Sequence, residues 1–253
     1  MTGKVYLVGG GPGDPDLITV KGLTLLRRAD VVLYDRLVAP ELLNEAPNTA
    51  ELILVGKTPG QHALVQAEID RLMVEKAQTA AIVVRLKGGD PFIFGRGGEE
   101  CQVLAEAGIP FEVVPGVSSV QAVPAYAGIP LTHRDLASQF TVITAHDRDG
   151  NLPDWNNLPR QGTLVFMMGV AHLPEIVAGL QSHGWPADTP VAVIHRGTTC
   201  EQKVVTSVLD QIAVQASHLK PPSIIVVGEV VSLSQPLHWF EPGAAISPSS
   251  MEH

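Results

Sequence analysis

Aromatic residues make up only 5% of the 253 positions, and only two are cysteines, Cys101 and Cys200. Far apart and without a CxxC or His-rich neighbourhood, the cysteines exclude a disulfide framework and a thiolate metal site, and read as free thiols of a reducing compartment. The nine histidines are scattered, so no metal is expected. Long apolar runs are missing too: none approaches the ~18 residues of a membrane-spanning helix. Positive charge is in deficit, with 17 Lys and Arg against 26 Asp and Glu and a net charge of −9. That balance argues against non-specific nucleic-acid binding. The opening residues pass directly into a strand pattern without a signal-peptide layout, so a cytoplasmic location is expected.

What is present is a hydrophobic fraction of 45%, enough to exclude wholesale disorder, in a chain long enough for two α/β domains. The stretch from Arg85 to Glu100 organises the rest. An apolar run, 80–84, reads as a buried strand before it, and 99–107 reads as a helix after it. Gly88-Gly89 lets the backbone approach a ligand closely, and Pro91 biases Asp90 toward an extended conformation. Arg96 stands between Gly95 and Gly97, unshielded. The pattern reads as a ligand-binding loop at the carboxyl end of a parallel strand.

Strands are predicted over 4–9, 29–34, 51–55 and 111–114 in the first half, and over 140–145, 163–168, 191–195 and 223–227 in the second. Helices are predicted from Thr19 and over 61–74, 117–126, 173–183 and 208–216. The glycine-rich turn after the first strand fails the GxGxxG register, because the third position falls on Asp14 and Pro12 interrupts the turn. Strand ends at Tyr34-Asp35-Arg36-Leu37 and Gly56-Lys57 add charge to what reads as one shared rim. Ser118 and Ser119 fall in the first turn of a helix, where unsatisfied backbone N–H groups suit oxygen ligands, and Ser118 is equally a good N-cap. Division is expected into 1–115 and 116–240, with 241–253 a frayed tail.

The pieces GGGPGDP, YDRL, VGK, RLKGGDPFIFGRGGEE, VPGVSS and YAGIPLTHRD occur in that order over residues 4–230. Together they resemble the tetrapyrrole methylase family, in particular the uroporphyrinogen-III C-methyltransferases. The resemblance implies two α/β domains of that type with the cofactor cleft between them. It also implies S-adenosylmethionine-dependent methylation of uroporphyrinogen III at positions 2 and 7, giving precorrin-2 for sirohaem and cobalamin synthesis. The implied cofactor-binding residues are Pro12, Gly88, Gly89, Asp90, Ile93, Ser118, Ser119, Met168 and Gly197. Asp35 is implied as proton acceptor and Lys57 as proton donor, and a homodimer is expected.

The substrate carries eight carboxylates, which planar guanidinium groups recognise well. Arg36, Lys87, Arg96 and Arg134, with Glu99, are therefore the substrate-binding candidates, at positions predicted to be loops. Arg96 is also a candidate for guiding proton loss, though not as the base, since arginine keeps its proton. The other reading of Arg96 is a pair with Glu99 or Glu100 that steadies the loop. A methylase of a later corrin intermediate or another small acceptor is the alternative on the same fold. A nucleotide-binding module without catalysis is a third reading, weakened by the failed glycine register.

Overall fold

The computed structural model describes residues 2–56, 66–147 and 149–243. The chain divides into two compact units, Met1–Ser119 and Val120–His253. The expected tail over 241–253 falls mostly outside the described residues, which end at Gly243.

The first unit is a five-stranded parallel sheet of β1 (Lys4–Gly9), β2 (Val31–Tyr34), β3 (Glu51–Leu54), β4 (Ile82–Lys87) and β5 (Phe111–Val114). Its order is β3-β2-β4-β1-β5, and every pairing is parallel. All five carboxyl ends therefore share one edge, the rim expected from the sequence. Helices α1 (Val20–Leu26), α2 (Pro40–Leu43), α3 (Gln66–Thr79) and α4 (Gly97–Glu106) connect the strands. Thr19 starts α1 as predicted, its Oγ1 accepting from the Gly22 amide at 3.1 Å. In α3, Ile69, Met73 and Ala77 recur every fourth residue and are buried with Leu104 of α4 against Val5, Leu33 and Val83. Helix α5 (Ser119–Tyr126) begins at the boundary between the units.

The second unit holds β6 (Phe140–Thr144), β7 (Thr163–Met167), β8 (Pro190–His195), β9 (Lys203–Val208) and β10 (Ser223–Val227), with α6 (Leu173–Ser182) and α7 (Ile212–Gln215). The order is β6-β7-β10-β8-β9. Strands β7 and β8 both run antiparallel to β10, and β6 runs parallel to β7. The carboxyl ends of β6, β7 and β8 thus lie on one edge. Trp155, in the polar stretch shortly before β7, packs against the core beside Gly179.

Three expectations are corrected. The strand read over 80–84 runs instead from Ile82 to Lys87, so Arg85 and Lys87 are strand residues and not loop residues. The helix read over 208–216 is only the single turn Ile212–Gln215. Ahead of it, Lys203–Val208 is an edge strand, a segment whose β-branched residues favour extended backbone. The helix read over 61–74 is described from Gln66 and continues to Thr79, because nothing in 75–79 breaks the helical pattern.

Candidate active site

The rim of the first unit is built by backbones in contact. A Cβ on Gly9 would lie 2.5 Å from the Cα of Gly116 and 2.6 Å from the Gly89 carbonyl oxygen, which leaves no room for one. Gly89 has φ +66°, and it bridges to Gly11, its amide donating to the Gly11 carbonyl at 2.6 Å. Glycines at the ends of β1, β4 and β5 thereby close into a bare-backbone cradle, with the Ser118 Cα and the Ser119 amide about 4 Å from where a Gly89 side chain would start. Such a surface offers peptide groups to a ligand with no side chain between.

Asp90 is committed to this cradle. Its Oδ1 accepts from the Phe92 amide at 2.8 Å and its Oδ2 from the Gly116 amide at 3.0 Å. The carboxylate thus ties the β4 loop to the β5 loop, a role the sequence reading did not foresee. Beyond it, Phe92, Ile93 and Phe94 are all exposed, an apolar plate in a chain poor in aromatics.

On the other side of β4, Gly56 and Gly88 pack against the loop after β2. A Cβ on Gly56 would sit 2.7 Å from the Arg36 amide nitrogen, and one on Gly88 would meet the Leu37 Cβ at 3.2 Å. Arg36 is exposed here, while Asp35 is half-buried and points into a charge network. Arg85, 2% exposed, donates from Nη2 to Asp35 Oδ1 at 2.6 Å and from Nε to Glu100 Oε1 at 3.0 Å. Lys87, 3% exposed, donates to the same Glu100 oxygen at 3.1 Å and lies 3.8 Å from Asp35 Oδ2. Gln66 donates to Glu100 Oε1 at 3.4 Å and to Asp70 at 2.8 Å. Glu100 is fully buried, and its Oε2 has no hydrogen bond among the described residues.

Burial lowers the Lys87 pKa, and the neighbouring Arg85 charge lowers it further, against the opposing pull of Glu100 and Asp35. Lys87, expected at a loop as a substrate contact, is instead enclosed and paired. Arg85 and Glu100 were not among the site residues expected from the sequence, where Glu100 entered only as an alternative partner of Arg96. The available signal was spacing: Arg85 and Lys87 are two apart on a strand and so share the face that Val83 buries under α3 and α4.

Arg96 is exposed, with φ +59° at the N-cap of α4, and pairs with exposed Glu99 at 3.1 Å. A pair so open to solvent is worth under ~1 kcal/mol. Pro12 is half-buried in the loop after β1, and Lys57 lies outside the described residues.

In the second unit Met168 follows β7 and Gly197 follows β8, at the edge shared by those strands. Met168 is exposed, whereas Gly197 is buried where a Cβ would overlap the Val123 side chain. Arg134 is exposed in the turn closed by the His133–Ala137 bridge. Among the described residues, five non-glycine residues have positive φ: Phe94, Arg96, Met168, Arg196 and Thr198. Every one lies in a rim loop beside a glycine, and strain of this kind concentrates at functional sites.

Residues 4–213 match the family model described as Tetrapyrrole (Corrin/Porphyrin) Methylases. A siroheme synthase of Pseudomonas putida is 54% identical over 245 residues, covering 94% of this chain and 52% of the relative. The chain thus spans about half the length of the curated relatives it matches. Among solved structures, the native uroporphyrin III C-methyl transferase of Thermus thermophilus is 43% identical, with a TM-score of 0.80 over 91% of this chain and 99% of that one. The Thermus thermophilus enzyme complexed with S-adenyl homocysteine is likewise 43% identical, with a TM-score of 0.81 over 90% of this chain and 93% of that one.

Proposed function

Because the chain belongs to the tetrapyrrole (corrin/porphyrin) methylases, we propose that it is an S-adenosylmethionine-dependent C-methyltransferase that methylates uroporphyrinogen III at positions 2 and 7 to give precorrin-2. The observation that carries this reading is its end-to-end likeness to a uroporphyrin-III methyltransferase seen with S-adenyl homocysteine. The glycine cradle supports it, since Gly9, Gly89 and Gly116 form a bare surface that side chains would fill. Working as a homodimer in the cytoplasm, without nucleic-acid or membrane partners, belongs to the same proposal.

In the first unit, Pro12, Gly88, Gly89, Ile93, Ser118 and Ser119 would hold the cofactor, with Asp90 bracing the loops that carry them. Met168 and Gly197 are the candidates on the second unit's own rim. When bound, the cofactor supplies a sulfonium methyl group for transfer to a nucleophilic carbon of the macrocycle. The chain's task is then positioning and proton management. Arg36, Arg96 and Arg134 are exposed and available to carboxylates, and Phe92 and Phe94 offer apolar surface to the pyrrole rings of the macrocycle. Lys87, bonded to Glu100, contributes positive charge from below rather than a direct contact. Asp35 accepts the proton lost from the methylated macrocycle, and Lys57 is the proposed proton donor.

Anaerobic incubation with S-adenosylmethionine and uroporphyrinogen III, followed by absorption spectra, tests the reading. Formation of a precorrin-2 chromophore is expected. Turnover of later corrin intermediates alone would favour the alternative acceptor, and S-adenosylhomocysteine binding without turnover of any tetrapyrrole would favour a non-catalytic module.

A further inference from the structure

We propose that Arg85 is a positioning residue for Asp35, held in place by Glu100 and Lys87, so that one carboxylate oxygen is fixed and the other is presented to the substrate proton. The inference rests on the reading of the chain as a tetrapyrrole methylase, and it assigns work to buried charges that the reading leaves idle.

Burying charges is costly, and a buried pair is generally no better for stability than well-packed apolar side chains. Here the cost is concentrated beneath one rim residue. Arg85 is among the largest fully buried side chains, on a strand face it shares with Val83 and Lys87 and against an otherwise apolar cluster. Its guanidinium bridges two carboxylates, Glu100 below at 3.0 Å and Asp35 above at 2.6 Å. Glu100 is fully enclosed, whereas Asp35 is 29% exposed, so Arg85 is linked to solvent on the rim side through Asp35, while Gln66 and Asp70 form a separate, half-buried branch from Glu100.

The two oxygens of Asp35 are not equivalent. Oδ1 is taken by Arg85, whereas Oδ2 stands 3.8 Å from the Lys87 ammonium, beyond hydrogen-bond distance. The fork of Arg85 cannot rotate freely, because its Nε is engaged by Glu100 and its Nη1 donates to the Leu86 carbonyl at 3.3 Å. Orientation therefore passes from α4 through Arg85 to Asp35. In the step itself, the carbon–sulfur bond breaks as the new carbon–carbon bond forms. The cationic macrocycle then loses a meso proton to Asp35 Oδ2, and the C–H electron pair returns to the ring. Asp35 later releases that proton to solvent.

The test compares Arg85→Lys, which keeps the charge but not the planar fork, with Glu100→Gln, which keeps the shape but not the charge. Melting temperature, S-adenosylhomocysteine affinity and the kinetic isotope effect on kcat with meso-deuterated uroporphyrinogen III are measured for both. If Arg85 positions Asp35, both variants bind S-adenosylhomocysteine as the parent does, and kcat falls at least tenfold with little change in KM. The isotope effect rises in both, because proton removal becomes limiting. Should either single variant fail to fold, the double variant Arg85→Met with Glu100→Gln removes both buried charges and is read in the same way. An isotope effect equal to that of the parent, with kcat following thermal stability alone, would overturn the proposal and leave the network purely structural. A parent protein that does not methylate uroporphyrinogen III fails the functional reading instead, and that outcome is visible before any variant is made.

Discussion

Replacing Gly9 by alanine isolates the cradle from every other feature of the rim. Gly9 is the last residue of β1, so an added methyl creates a problem of space. The new Cβ would lie 2.5 Å from the Gly116 Cα and 2.6 Å from both the Gly116 nitrogen and the Gly89 oxygen. All three are backbone atoms and cannot turn aside as a side-chain end would. Reaching ordinary contact requires the loops after β1, β4 and β5 to part by about 0.9 Å. Overpacking of this kind costs ~1–3 kcal/mol, and a melting temperature falls by roughly 2–4 °C per kcal/mol in a chain of this size. The functional loss should be larger than the thermal one, since misplacing a site by ~1 Å can cost on the order of 100-fold. Calorimetry with S-adenosylhomocysteine is therefore expected to show at least about tenfold weaker binding. Gly98→Ala is the control: nothing lies within 4 Å of its Cβ position, and it occupies the first turn of α4. Alanine there should leave the melting temperature unchanged or raise it slightly. Gly9→Ala that loses stability yet binds S-adenosylhomocysteine with native affinity would refute the cradle as a cofactor surface.

Arg96→Ala should retain stability and S-adenosylhomocysteine affinity while turnover falls ~100-fold, with Arg96→Lys scarcely better; parallel losses of melting temperature and activity, rescued by lysine, would mean that the Glu99 pair is its whole role. Glu112 has its pKa pushed down to about 2 by hydrogen bonds and ion pairs from Lys21 and Lys4. Its contribution is thus full above the ordinary value of 4.5 and lost as pH falls toward about 2. Glu112→Gln should lower the melting temperature at pH 7 but not at pH 2, and a difference that persists unchanged at pH 2 would count against this linkage. Cys200 is exposed, whereas Cys101 is buried, with its thiol pKa raised by burial and by Glu100. A thiol reagent should therefore titrate one cysteine rapidly in the folded protein and the second only on unfolding.

Much of the rim was legible because its chemistry needs residues that leave marks. Gly88-Gly89 and Pro115-Gly116 follow apolar runs, and Asp35 follows another, so strand ends and ligand loops could be placed together from spacing alone. The charge network was not legible for the opposite reason. Arg85 and Lys87 look like the start of a polar loop, and only the register with Leu7 and Leu33, which sets Arg85 inside the sheet, reveals them as buried strand residues. Asp90 was placed correctly in its loop, but its partner Gly116 lies 26 residues away, and no local pattern announces that bond. The edge strand Lys203–Val208 did carry a signal in Val204, Val205 and Thr206, which the helical reading of the following segment obscured.

The most direct test of the whole account is a count of transferred methyl groups. Protein, uroporphyrinogen III and S-adenosylmethionine labelled with a trideuterated methyl group are combined without oxygen, and the tetrapyrrole mass is followed to completion. The expected end point is two labelled methyl groups per macrocycle, with two equivalents of S-adenosylhomocysteine formed and a singly methylated species rising and falling between. An unchanged tetrapyrrole mass, with protein that binds S-adenosylhomocysteine normally, would contradict the proposed substrate and with it the central claim.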